Sequence, residues 1–139
     1  MKLYYTIWVD CILRAKSQTQ NKKDWKFFTM LFMGMAMSSN LIIISILLSD
    51  LDILNRVFTI KVNFLESTKF NSFLGFTLTY FFPVSLINYF CIFYNKKYEK
   101  LIDKYEYHNG RYMGIYLLVS FLSLPVYGLT AFLIMRMIG

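Results

Sequence analysis

Between Phe27 and Ser49 the chain runs for 23 residues, FFTMLFMGMAMSSNLIIISILLS, without a charged side chain. Wound as an α-helix at ~1.5 Å per residue, this stretch reaches about 35 Å, enough to cross a hydrocarbon layer of roughly 30 Å. Two more uncharged runs follow, Phe70 to Asn95 with 26 residues and Tyr112 to Met135 with 24. A helix that is apolar on every side must be buried, in protein or in lipid. With 139 residues, 57% of them hydrophobic and 17% charged, too few polar residues remain to cover three such helices in water. The expected fold class is an all-α membrane protein with three transmembrane helices at 25–49, 70–94 and 112–137. An N-terminal amphipathic interfacial helix precedes them, and residues 1–139 form a single integral membrane domain.

A net charge of +7 in a soluble chain would point to nucleic acid, but here the basic residues follow topology. Lys2, Arg14, Lys16, Lys22, Lys23 and Lys26 precede the first span, and Lys96, Lys97, Lys100, Lys104 and Arg111 lie in the second connection. Only Arg56, Lys61, Lys69 and Arg136 fall on the other side. Cytoplasmic loops collect the Lys/Arg excess, so the amino terminus is expected inside a bacterial-type inner membrane and the carboxyl terminus outside. The expected partners are therefore the lipid bilayer and other membrane chains, with no nucleic acid.

Residues 2–17 carry Tyr4, Tyr5, Trp8, Cys11, Ile12 and Ala15 at helical spacing, with Lys2, Thr6, Asp10 and Arg14 as a narrow polar stripe. Asp10 and Arg14, one turn apart, can pair for ~0.3 kcal/mol. Such a helix either lies in the membrane plane or folds back onto the spans. The early apolar run contains Asp10 and is too short to span, so no cleavable signal peptide is expected. Ser17 to Asp24 reads as a polar linker. In the external connection 50–69, Phe58, Ile60, Val62 and Phe64 alternate with Thr59, Lys61 and Asn63, the period of a half-buried strand without a visible partner. An interfacial loop is the simplest expectation.

Pro83 and Pro125 are expected to kink the second and third spans. Beyond the second span, Tyr94, Tyr98, Leu101, Ile102 and Tyr105 continue an apolar face. One long helix is therefore expected from about Phe70 to His108, a cytoplasmic extension stopped by Asn109-Gly110.

Inside the spans the polar residues form stripes. Gly34, Ser38, Ser45 and Ser49 share one side of the first span in two small-xxx-small pairs. At ~100° per residue Thr77, Ser85, Asn88 and Asn95 share a face of the second, and Tyr116, Ser120, Ser123, Tyr127 and Thr130 a face of the third. These stripes are expected to face one another, as packing and interhelical hydrogen bonds, or as the lining of a polar path. Asn40 stands about 160° from the small-residue face, and an amide facing lipid alone is costly. It is expected to meet a second copy or another protein.

Catalytic chemistry has no visible foothold. No acid or base lies within the three runs to activate a serine, and Glu99, Asp103, Glu106 and His108 are interleaved with lysines as on a solvated face. Cys11 and Cys91, with a single histidine, offer no metal-ligand spacing. No catalytic residue, cofactor or metal is expected. A surface helix followed by three spans resembles the layout of bacterial diacylglycerol kinases in span count and length. The membrane-embedded acids and asparagine of that family have no counterpart here, so no residue role carries over. Three spans in a short chain also resembles some phage holins, though without the strongly charged tail of many of them. The function expected from these residues is a non-enzymatic accessory or interaction subunit that associates through its spans. Its cytoplasmic docking surface would be the faces at 2–17 and 94–108. The alternative is a homo-oligomeric pore or small-solute transporter lined by the Ser/Thr/Asn stripes.

Overall fold

The computed structural model describes residues 2–18, 24–53, 57, 59–64 and 68–138. Most of the polar linker, at 19–23, lies outside them, as does Phe58. Five helices follow in order: α1 (Lys2–Gln18), α2 (Trp25–Asp50), α3 (residues 68–93), α4 (Lys97–Lys104) and α5 (Arg111–Ile138). Among the described residues there is no strand. Three stretches are long and apolar enough to cross a membrane: Trp25–Asp50, the Thr68–Lys104 stretch of α3 and α4, and Arg111–Met137.

The centre of the arrangement is α2. It packs against α3 and against α5, while α3 and α5 barely meet each other. Gly34 makes the α2–α3 approach close, since a Cβ there would lie 2.9 Å from both the Phe81 ring and Ser85 Oγ. On α3 four buried side chains come every fourth residue, Tyr80, Val84, Asn88 and Ile92, with Phe93 buried next to the last of them. At ~100° per residue such a row would drift by about 40° at each step and leave the interface. Two π-helical segments, Thr77–Phe81 and Tyr89–Phe93, take up the surplus and keep the row facing inward. The first sits just before Pro83, which has no N–H to give to the Thr79 carbonyl, so the wider turn falls where the α-helical bond is already lost. In contrast, α5 passes through Pro125 as a continuous α-helix.

The long helix expected to reach His108 is broken. Tyr94 is extended, and Asn95 and Lys96 are both left-handed, with φ of 51° and 53°. A left-handed conformation costs a residue with a side chain roughly 1–2 kcal/mol, which Asn bears more readily than Lys. The reversal folds α4 back so that Tyr98 stacks against Trp25 and Phe93, with ring centroids at 5.3 and 6.0 Å. Helix α4 then ends at Lys104, because Tyr105 is extended and lays its ring on Tyr5. Asn109-Gly110 forms the turn into α5 instead of ending the preceding helix.

Helix α1 lies antiparallel along the first half of α2. Cys11 and Ala15 sit by Phe28, Thr29 and Phe32, while Leu3, Tyr4 and Ile7 sit by Met33 and Met37. A helix in the membrane plane would cross the α2 axis, so α1 takes the fold-back geometry. The reason is burial: Trp8, Val9 and Ile12 are wholly covered by α2, α4 and α5. The apolar faces of α1 and α4 are thus spent largely within the chain, with Leu101 and Ile102 packed on the same core.

Asp10 is fully buried and does not pair with Arg14. Its two carboxylate oxygens accept the backbone N–H groups of His108 at 2.7 Å and Tyr112 at 2.9 Å. The second is an otherwise unpaired amide in the first turn of α5, so a residue of α1 caps a helix about a hundred residues away. Arg14 instead lays its stem against Gly110, whose φ of 75° suits glycine.

Residues 59–64, in the connection between α2 and α3, run as a strap along α3. Thr79 Oγ1 accepts the N–H of Ile60 at 2.9 Å, and Asn71 Oδ1 accepts that of Phe64 at 3.2 Å. The alternating segment therefore finds its backbone partners on helix side chains. Gly75 permits this, because a Cβ there would lie 2.5 Å from the Ile60 carbonyl oxygen.

Two outcomes follow. Asp10→Ala removes the buried acceptor of two part-buried backbone amides and is expected to cost roughly 3 kcal/mol, with Asp10→Asn between it and the native chain, by thermal unfolding in detergent. Gly75→Ala is expected to lift the strap off α3, so that limited proteolysis cuts at 57–64 several times faster while the helical content by circular dichroism stays unchanged.

Candidate functional site: a groove beside α2

Because α3 and α5 stand apart on α2, a groove of about 470 Å³ is left between them, floored by Met37, Asn40, Leu41 and Ile44. Val84, Ile87, Asn88 and Cys91 of α3 form one wall and Tyr116 of α5 the other. Tyr4 and Tyr5 close the end nearer Trp25. The walls are apolar, and the polar groups gather at the closed end.

Two amides organise that end. Asn88 Oδ1 accepts the Tyr4 hydroxyl at 2.8 Å, and Asn88 Nδ2 donates to Met37 Sδ at 3.0 Å. Asn40 Nδ2 donates to Tyr116 Oη at 3.1 Å and to Ser120 Oγ at 3.0 Å. The Asn40 N–H groups are therefore spent inside the chain, and only its carbonyl lacks a partner among the described residues, so the side chain does not face lipid alone as the oligomer contact at Asn40 supposes. Burial, with Cys91 beside it, pushes the Tyr4 phenol from its ordinary 10 up to about 12. Burial, reinforced by Asp10, raises the Cys11 thiol from 9 to about 12. Both groups stay neutral across the physiological range.

The three stripes do not converge. Gly34, Ser38 and Ser85 meet at the α2–α3 contact, where Ser38 Oγ donates to the Gly34 carbonyl at 2.7 Å. Ser85 Oγ is buried there without a partner among the described residues. Ser45 donates to Leu41 O, Thr77 to Phe73 O and Ser123 to Ser120 O, each within its own helix. Ser49 is half-buried near the far end of α2, where Asp50 receives the Tyr127 hydroxyl. Of the stripe residues, Asn88 and Tyr116 line the groove, with Ser120 behind Asn40. Sequence reasoning missed Tyr4, Met37 and Gly75, and placed Thr77 with Asn88 because it counted an unbroken α-helical period through α3.

No protein-family model, curated protein or solved structure matches the chain.

The neutral Tyr4 and Cys11 tie stability to pH. Unfolded, each releases its proton near its ordinary value; folded, each holds it to about 12. The stability they confer is complete below about pH 9 and is lost as pH rises toward 12. The melting temperature in detergent is expected to be flat in the neutral range and to fall on that alkaline limb. The fall should be shallower in a Cys11→Ala chain.

Proposed function

We propose that this chain is a non-enzymatic subunit of a membrane assembly, inserted by α2, α3 and α5 and associating through the outer half of α5. The observation that carries this is the bareness of α5. Helix α2 ends at Asp50, beside Tyr127, yet α5 continues for three more turns to Ile138. Among the described side chains of α5 only Ser120 is buried, while Leu129, Phe132 and Ile134 are 63, 61 and 56% exposed.

Lipid covers an apolar helix as well as protein does, so the argument also needs its polar atoms. Pro125 has no N–H for the Phe121 carbonyl, and Pro125 and Phe121 both lie on the exposed side. In hydrocarbon a carbonyl deprived of its helical donor favours a neighbouring helix that supplies one. The pore alternative draws less support, since most stripe hydroxyls are spent on carbonyls of their own helix. The Lys/Arg distribution supports an orientation with α1 and α4 on the cytoplasmic side of an inner membrane. The docking surface then moves from the faces of α1 and α4, which are covered, to α5.

The test is site-directed cross-linking in native membranes with Cys91 replaced by Ser. Leu129→Cys is expected to give one adduct of defined mass, either twice the chain or the chain plus one partner. Phe90→Cys, on the exposed side of α3, should give none. Equal, diffuse labelling at both positions would mean that α5 meets only lipid and would sink the proposal.

A further inference from the structure

We infer that the groove beside α2 binds one glycerophospholipid, its acyl chain lying along Leu41, Ile44 and Ile87 and its head-group oxygens at the Tyr5–Tyr116 end. The inference rests on membrane insertion as proposed above but not on any partner at α5.

The hydrogen-bond accounts of the groove leave specific atoms unspent. The Tyr116 hydroxyl is engaged by Asn40 and Ser120. The Tyr5 hydroxyl has no partner among the described residues, and neither does the Asn40 carbonyl. These are one donor and one acceptor on the lining of an otherwise apolar trough, a pattern that fits an amphiphile rather than a uniformly apolar helix. A partner helix would bring its own satisfied backbone and strand these groups in hydrocarbon.

Charge selects the phosphate. Lys2 is exposed at the tip of α1, three residues before Tyr5 on the same helix. The Lys104 ammonium lies 5.9 Å from the Tyr105 ring centroid, and that ring packs on Tyr5 at 5.7 Å. The acid on α1, Asp10, is committed to two amides. Two cations therefore stand near the Tyr5 end and, among the described residues, none lines the apolar end, which is the polarity of a phospholipid standing in one leaflet. Cys91, exposed and on the groove wall, reports occupancy without an added probe.

The experiment uses the full chain purified in a mild detergent. Dioleoyl phosphatidylglycerol is expected to be retained at one molecule per chain by native mass spectrometry and to slow maleimide labelling of Cys91 at least tenfold. Ile87→Trp fills the groove from an exposed position and should abolish retention; Ile115→Trp, on the exposed side of α5, should not. Tyr5→Phe should weaken retention several-fold with folding unchanged by circular dichroism. Oleic acid retained as tightly as the phospholipid would remove the phosphate from the assignment and overturn it. Protection of Cys91 that rises with chain concentration in the absence of lipid would show a second copy in the groove, which also overturns it. Carbonate extraction of the chain from membranes would instead strike at insertion itself, and so separates the two failures.

Discussion

A buried carboxylate with two backbone amides holds the Trp25 end of this molecule together. Asp10 sits at zero exposure among Trp8, Val9 and Ile12, where an unpaired charge would cost several kcal/mol. It is tolerated because both oxygens are met by N–H groups and because one of these begins α5, where the helix dipole favours a negative charge. That contact fixes three things together: the depth of α1, the start of α5 and the path of 105–110 between them. Without it, α1 would retain only an apolar stripe, which fits a lipid surface as well as a protein one. Directional bonds choose between the two.

The second constraint is the four-residue repeat of buried side chains on α3. An ideal α-helix would turn Asn88 and Ile92 away from α2 if Tyr80 and Val84 faced it. The π-helical segments hold all four in line, and Asn88 thereby reaches both Tyr4 and Met37. The same alignment keeps α3 on its own flank of α2. Helix α5 is drawn to the other flank by Asn40, so the helices do not close into a bundle. The groove is the geometric remainder of two polar contacts that pull in different directions.

How much of this could be read in advance depends on the range of the interaction. Run length alone marks the three long helices, because 23 uncharged residues leave few options. The close approach at Gly34 and Ser38 was legible too, as a spacing of small residues within one helix. The break at Asn95-Lys96 was not, because apolar residues recur at helical spacing on both sides of it. Only the left-handed tolerance of asparagine hinted at a turn. Asp10 was assigned to Arg14, four residues off, since its true partners are amides 98 and 102 residues away and amides leave no mark in a sequence. Asn40 failed in a related way. The case for an external partner assumed that its face of α2 met lipid, whereas Tyr116 and Ser120 occupy it. The four-residue row on α3 was visible in the sequence, but counting at 100° per residue hid it.

The distribution of spent and unspent polar atoms bears on what such a chain does in a bilayer. Within the described spans, serine and threonine hydroxyls mostly return to carbonyls one turn back, a bond that hides a polar group without engaging a neighbour. Those residues make the helices slim and self-sufficient; they are poor material for a conduit, which needs hydroxyls turned toward water or solute. The groups that remain available, the Tyr5 hydroxyl and the Asn40 carbonyl, both line the groove. On the lipid reading proposed above they would meet glycerol and phosphate oxygens. The apolar turns of α5 lie at the opposite end. On the readings proposed above, a molecule built this way would separate its two contacts along the long helices, lipid head group at one level and protein neighbour at the other. Occupancy of either would then leave room for the other.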